Sequence, residues 1–124
     1  METKTRVEKL EEIISQASGG SDQFYKSPLS GYVYTQGIKS IAEEMGAYWL
    51  LDAIFSYKRP EPFQLWILNV GRNDRTGIMG ASLSMQEDTH EPVLINQEIE
   101  FTDFPEGLWT FYFIDGTLLL PCEY

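Results

Sequence analysis

The sequence predicts an α+β domain in which two N-terminal helices precede a four- to five-stranded antiparallel meander sheet. Three observations predict it. Apolar residues recur at helical spacing before Pro60, the pattern changes after Pro62 to short apolar or alternating runs, and these strand-like runs are joined by short turns such as Asp115-Gly116. A chain of 124 residues, 43% of them hydrophobic, has the length of one domain and enough apolar area to offset its ordering entropy. Residues 1–124 therefore read as a single domain, with an amphipathic helical extension over 1–20 and a core over 21–124.

The first helix runs from Thr5 to Ala17, where Val7, Leu10, Ile13, Ile14 and Ala17 form one narrow apolar stripe. Thr5 and Glu8 fit a capping box at its start, and Gly19-Gly20 fit the left-handed residues that end a helix. A stripe this narrow packs on the rest of the domain or on a second copy, so a homo-oligomer through residues 5–17 is one reading of it. Residues 18–35 read as an irregular stretch pegged to the body by Phe24, Tyr25, Tyr32 and Tyr34. The second helix is expected over Gln36–Ser56, from the spacing of Ile38, Ile41, Ala42, Met45 and Trp49. Thr35 caps it, Lys58 and Arg59 suit the negative end of its dipole, and Pro60 and Pro62 stop it. Its second half, Ala47 to Phe55, is apolar on almost every face except at Asp52, which marks it as the central helix.

The strands follow. Phe63 to Val70 is nearly all apolar around Trp66, as in a strand covered on both faces or at the centre of a sheet. Gly71 to Gly77 is a turn, and Ile78 to Met85 puts Met79, Ala81, Leu83 and Met85 on one face and Gly80, Ser82 and Ser84 on the other. Beyond a polar loop, Val93 to Phe101 sets Val93, Ile95, Ile99 and Phe101 against Asn96, Glu98 and Glu100, with the glutamates facing water. Leu108 to Ile114 is an aromatic strand. Asp115-Gly116 is a two-residue hairpin turn, and Thr117 to Leu120 returns before Pro121.

Charge carries the most functional information. The net −10 is divided into −1 over residues 1–75, which hold all nine Lys and Arg against ten acids, and −9 over residues 76–124, which hold nine acids and no Lys or Arg. Such a field repels nucleic acid phosphates and anionic membranes and attracts basic proteins. Glu87, Asp88, Glu91, Glu98, Glu100, Asp103 and Glu106 are the candidate partner-binding residues. A plainer reading gives these carboxylates the tasks of keeping the outer face soluble and strand edges from pairing. No apolar run approaches the roughly 20 residues of a membrane helix and Met1-Glu2-Thr3-Lys4 has no apolar leader, so a cytoplasmic protein that engages neither membrane nor nucleic acid directly is expected.

Motifs for chemistry are sparse. The chain has no phosphate-binding glycine loop, dinucleotide fingerprint, paired-histidine zinc motif, calcium loop or serine nucleophile elbow. Cys122, the single cysteine, reads as an inert thiol near the end of the chain. His90, within Glu87-Asp88-Thr89-His90-Glu91, has carboxylate neighbours but no recognisable ligand spacing, and reads as part of a solvated loop. No catalytic residue, metal or cofactor is assigned. Asp52 is the best isolated candidate, because a carboxylate in so apolar a helix is costly to bury without a partner. Together with Tyr48 and Trp49 it defines a candidate pocket between helix and sheet, against the plainer reading of a polar helix edge beside two core aromatics.

Several segments taken together carry a resemblance. They are Phe24-Tyr25, Pro28-Leu29, Ala47-Tyr48-Trp49-Leu50-Leu51-Asp52-Ala53-Ile54, Gln97-Glu98-Ile99, Thr102-Asp103-Phe104-Pro105 and Leu118-Leu119-Leu120-Pro121 with Glu123-Tyr124. Over residues 24–124 the chain resembles an uncharacterised family of small bacterial and phage proteins, with residues 1–23 as an addition. The resemblance implies an origin near phages or mobile elements and no catalytic residues.

The leading expectation is a non-enzymatic, acidic interaction protein that binds a basic partner, such as a host defence or nucleic-acid-processing protein. Against it stand a small enzyme or ligand-binding domain built around Asp52, and a structural homo-oligomer.

Overall fold

In the computed structural model the described residues are 5–17, 23–28, 30–58 and 60–124. Met1-Glu2-Thr3-Lys4, Gly19-Gly20, Leu29 and Arg59, which the sequence reading uses, lie outside them.

Among the described residues three α-helices and seven strands replace the two helices and four or five strands of the sequence reading. Helix α1 spans Arg6–Gln16, and Thr5 caps it with the expected reciprocal bonds to Glu8. Strands β1 (Phe24–Lys26) and β2 (Val33–Thr35) occupy what reads as an irregular stretch. They form a hairpin closed by the Ser27 N–H donating to the Tyr32 carbonyl at 2.8 Å. The expected long helix is two helices, α2 (Gln36–Met45) and α3 (Tyr48–Ser56). They part at Gly46, whose left-handed conformation (φ 60°, ψ 39°) ends α2 with a glycine C-cap that the uninterrupted apolar spacing hides. Thr35 caps α2 as expected, its Oγ1 accepting from the Ile38 N–H at 3.4 Å. At the end of α3, Lys58 takes a positive φ of 49° and turns the chain instead of lying within the last turn.

The remaining strands are β3 (Phe63–Arg72), β4 (Met79–Gln86), β5 (Val93–Ile99), β6 (Gly107–Ile114) and β7 (Thr117–Leu119). Their order is β1-β2-β7-β6-β3-β4-β5, and the β2–β7 pair is parallel, with Val33 opposite Thr117 and Tyr34 opposite Leu118. The sheet is therefore mixed, not an antiparallel meander. A meander of the later strands leaves no place for β1 and β2, which come before helices α2 and α3 in sequence and join the sheet beside the late strand β7. At the β6–β7 turn, Asp115 and Gly116 both adopt the positive φ (47° and 84°) their sequence predicts.

Helices α2 and α3 pack against one face of the sheet, and α1 lies on α2. Trp66, Leu68 and Val70 of β3, Ala81, Leu83 and Met85 of β4, Phe111 and Phe113 of β6 and Leu118 of β7 join Leu10, Ile38, Ile41, Leu50, Leu51, Ile54 and Phe55 in one core. Trp66 is 0% exposed at its centre, and its Nε1 donates to Gln64 Oε1 at 2.9 Å, which keeps a buried indole satisfied. Each such side chain contributes about 1.5–3 kcal/mol by leaving water. The apolar stripe of α1 lies on α2 in the same chain, with Leu10 only 1% exposed and Ile13, Ile14 and Ala17 packed beside it.

Among the described residues no α-helix covers the opposite face. There Phe63 and Tyr112 pack ring to ring at 5.1 Å, Tyr124 meets both edge-on, and Leu108 stands exposed. Toward β4 and β5 this face turns polar, through Ser82 opposite Glu98 and Ser84 opposite Asn96.

Candidate functional site at the acidic sheet edge

β5 is the last strand of the sheet, and the seven carboxylates singled out above lie on it or on the two loops that flank it. All seven are exposed. Glu87, Asp88 and Glu91 belong to the β4–β5 loop. That loop is folded compactly because Gln86 Nε2 donates to the carbonyls of Asp88 at 2.6 Å and Thr89 at 2.8 Å. Glu98 comes from β5 itself, and Glu100 from the residue after its end. Asp103 and Glu106 alternate with buried anchors in the β5–β6 loop. The Thr102 N–H donates to the Met79 carbonyl at 3.0 Å, Phe104 sits 2% exposed in the core, and Trp109 Nε1 donates to the Pro105 carbonyl at 2.8 Å. Those anchors leave Asp103 and Glu106 no direction but outward.

Among the described residues none of the seven forms an ion pair. Arg72 lines, with Glu98 and Glu100, a hollow of about 400 Å³ on the face away from the helices, and its guanidinium Nη1 donates to the Gly77 carbonyl at 2.6 Å. The floor of the hollow is made by Asn69 and Gly71, which the sequence reading puts in a nearly all-apolar strand and in the turn after it, and by Gly80 and Ser82, which it puts on the polar face of the next strand. Their signal was the run of small residues at every second position of β4. Gly80 is also required there: a Cβ on it would come within 2.8 Å of the Ile99 carbonyl oxygen.

The strand itself departs from expectation at its ends. Val93 is exposed because the β4–β5 register shifts between Met85 and Gln86, and Phe101 is 71% exposed because β5 ends at Ile99. Ile95 and Ile99 face the helices, and Gln97 between them accepts a bond from the Tyr57 hydroxyl at 2.6 Å.

The Asp52 group is only partly assembled. Asp52 is exposed at the edge of α3, so the cost of burying a carboxylate in an apolar helix never arises. Tyr48, one turn earlier, lines with it a hollow of about 310 Å³ completed by Ser27, Pro28, Tyr34, Leu51 and Phe55. Trp49 is rotated away and packs against the core. Burial pushes the Tyr48 phenol above its usual range, and its hydroxyl donates to Glu43 Oε1 at 3.5 Å. Among the described residues lining that hollow, Asp52 is the one carboxylate, and the polar groups beside it are the hydroxyls of Ser27, Tyr34 and Tyr48.

His90 is exposed, and among the described residues no group of three His, Cys, Asp or Glu side chains is placed to hold a metal ion. Cys122 Sγ lies 3.3 Å from the Ile14 carbonyl, and burial, followed by the neighbouring Glu123, raises its thiol above the ordinary cysteine value. Glu123, the one late acid drawn inward, accepts from Thr35 Oγ1 at 2.7 Å and from the Leu120 N–H at 3.0 Å. Among the described residues no helix is long and apolar enough to cross a membrane.

A family model described as a family of unknown function (DUF6876) matches residues 8–124. The match begins inside α1 and so extends further toward the N-terminus than the resemblance over residues 24–124. No curated protein and no solved structure matches the chain.

Proposed function

We propose that this chain, which belongs to that family of unknown function, is an acidic interaction protein that binds a basic protein partner through the β5 edge. One observation carries the reading: seven exposed carboxylates gather on one edge strand and its two flanking loops with no cation of the described residues paired to them. Unpaired carboxylates on a common edge sum into a field that speeds encounter with a positive surface and rejects phosphate. The partner class that best fits is a nucleic-acid-handling or host defence protein, whose basic groove the carboxylates enter in place of a phosphate row. The resemblance to phage proteins supports that setting, inside a bacterial cell.

The test is capture of basic proteins from a bacterial lysate at low and then raised salt, by the native chain and by a variant with Glu98, Glu100, Asp103 and Glu106 changed to Gln or Asn. A partner lost from the variant and eluted from the native chain by salt supports the proposal. Partners retained equally by both, or none at all, overturn it. A second reading, a small-ligand site, is favoured by the hollow between Tyr48 and Asp52. It predicts that Asp52→Asn alters ligand-induced stabilisation in a thermal-shift screen.

A further inference from the structure

We infer that the outer edge of β5 accepts an added strand, an extended segment of a basic partner in which Lys or Arg alternates with apolar residues. The inference rests on the proposed function and specifies its surface.

β5 pairs with β4 alone and closes one side of the sheet. Among the described residues, its backbone makes no hydrogen bond beyond that ladder, so the outward N–H and C=O groups form a template for another strand. The opposite edge, β1, is three residues long, whereas β5 offers seven.

The side chains of β5 state the pattern its occupant needs. Asn96 and Glu98 stand on the helix-free face, and Glu100 lines the same hollow as Glu98. Ile95 and Ile99 stand on the helix face, the second of them half-buried at the sheet margin. A neighbouring strand places its side chains about 4.5–5.5 Å from those of β5. Cations at every second position would therefore meet Glu98 and Glu100, and the intervening apolar residues would extend the core past Ile95 and Ile99. A second copy of this chain fits poorly. Antiparallel self-pairing would bring Glu87, Asp88 and Glu91 of one copy to the Glu98 and Glu100 end of the other, and like charges so placed repel.

The test uses the full chain and three synthetic octapeptides: alternating Lys and Val, the same composition with the lysines consecutive, and the alternating peptide N-methylated at every second residue. Affinity is read by calorimetry at low salt and contact by amide hydrogen exchange. The expected result is binding of the alternating peptide at least tenfold tighter than either control, with slowed exchange along β5. Charge reversal at Glu98→Lys and Glu100→Lys should shift preference to an alternating Glu and Val peptide. Equal affinity for all three peptides, or binding without protection of β5, overturns strand addition. If that equal binding is salt-sensitive and is lost in the charge-reversed variant, the electrostatic reading under the proposed function stands without it. If no peptide binds, both fall.

Discussion

The hydroxyl of Thr35 donates to Oε1 of Glu123 at 2.7 Å, joining the start of α2 to the penultimate residue of the chain. The same carboxylate receives the Leu120 N–H at 3.0 Å and the Gly37 N–H at 3.4 Å, so a side chain from 86 positions later serves the N-terminus of α2. An anion at the positive end of a helix, bonded to its free amides, is favourable on both electrostatic and hydrogen-bonding grounds. Glu123→Gln should therefore lower stability by about 1–2 kcal/mol, measured by urea unfolding, with no loss of partner binding.

Gly37 allows that contact. A Cβ at this position would lie 2.8 Å from Glu123 Oε1 and 2.9 Å from Leu120 Cδ1. Gly37→Ala should cost about 1–3 kcal/mol through overpacking. Combined with Glu123→Ala, it should cost less than the two single changes together, because the carboxylate it strikes is gone.

Leu10 tests whether α1 is integral to the fold. At 1% exposure against α2, its truncation to Ala should cost about 2–5 kcal/mol. Light scattering of the native chain should give a monomer, since the stripe that would join two copies is spent within one.

Glu98→Lys with Glu100→Lys should leave the unfolding free energy within about 0.5 kcal/mol of the native chain, because both side chains are exposed and form no ion pair among the described residues. The same change should weaken binding to a basic partner at least tenfold at low salt, with the difference shrinking as salt is raised. Association kinetics by biolayer interferometry reads both effects.

Cys122 supplies a pH-dependent prediction. Its thiol holds its proton more tightly in the folded chain than in the unfolded one, chiefly through burial. The unfolded state then loses that proton first, so its contribution to stability is complete below the ordinary thiol pKa of about 8.5 and declines as pH rises past it. Alkylation by iodoacetamide near about pH 8 should be slower in the native chain than in urea, where the thiolate fraction is larger.

Much of the fold was legible where the governing contacts are local. The capping box of Thr5 and Glu8, the cap at Thr35, the inward set Met79, Ala81, Leu83 and Met85, and the Asp115-Gly116 turn each depend on residues within a few positions of one another. Gly46 was local too, but its place inside an unbroken apolar rhythm concealed the boundary between α2 and α3. The short strands β1 and β2 were illegible for another reason. Three residues carry no measurable alternation, and their ladder exists only because β7 lies beside them.

For the candidate site the division is the same. Composition and order along the chain determined by themselves that the later half is uniformly anionic, that Glu98 and Glu100 alternate with Ile99, and that no familiar catalytic motif is present. Only the tertiary structure decided that β5 is an edge, that both its loops return to it, that Asp52 stays in water, and that Glu123 leaves the anionic surface to cap α2. Alternation and charge are properties of neighbours in sequence. Which strand has no neighbour in space is set by the pairing of segments far apart in the chain, and an edge is visible only once every other strand has found its place.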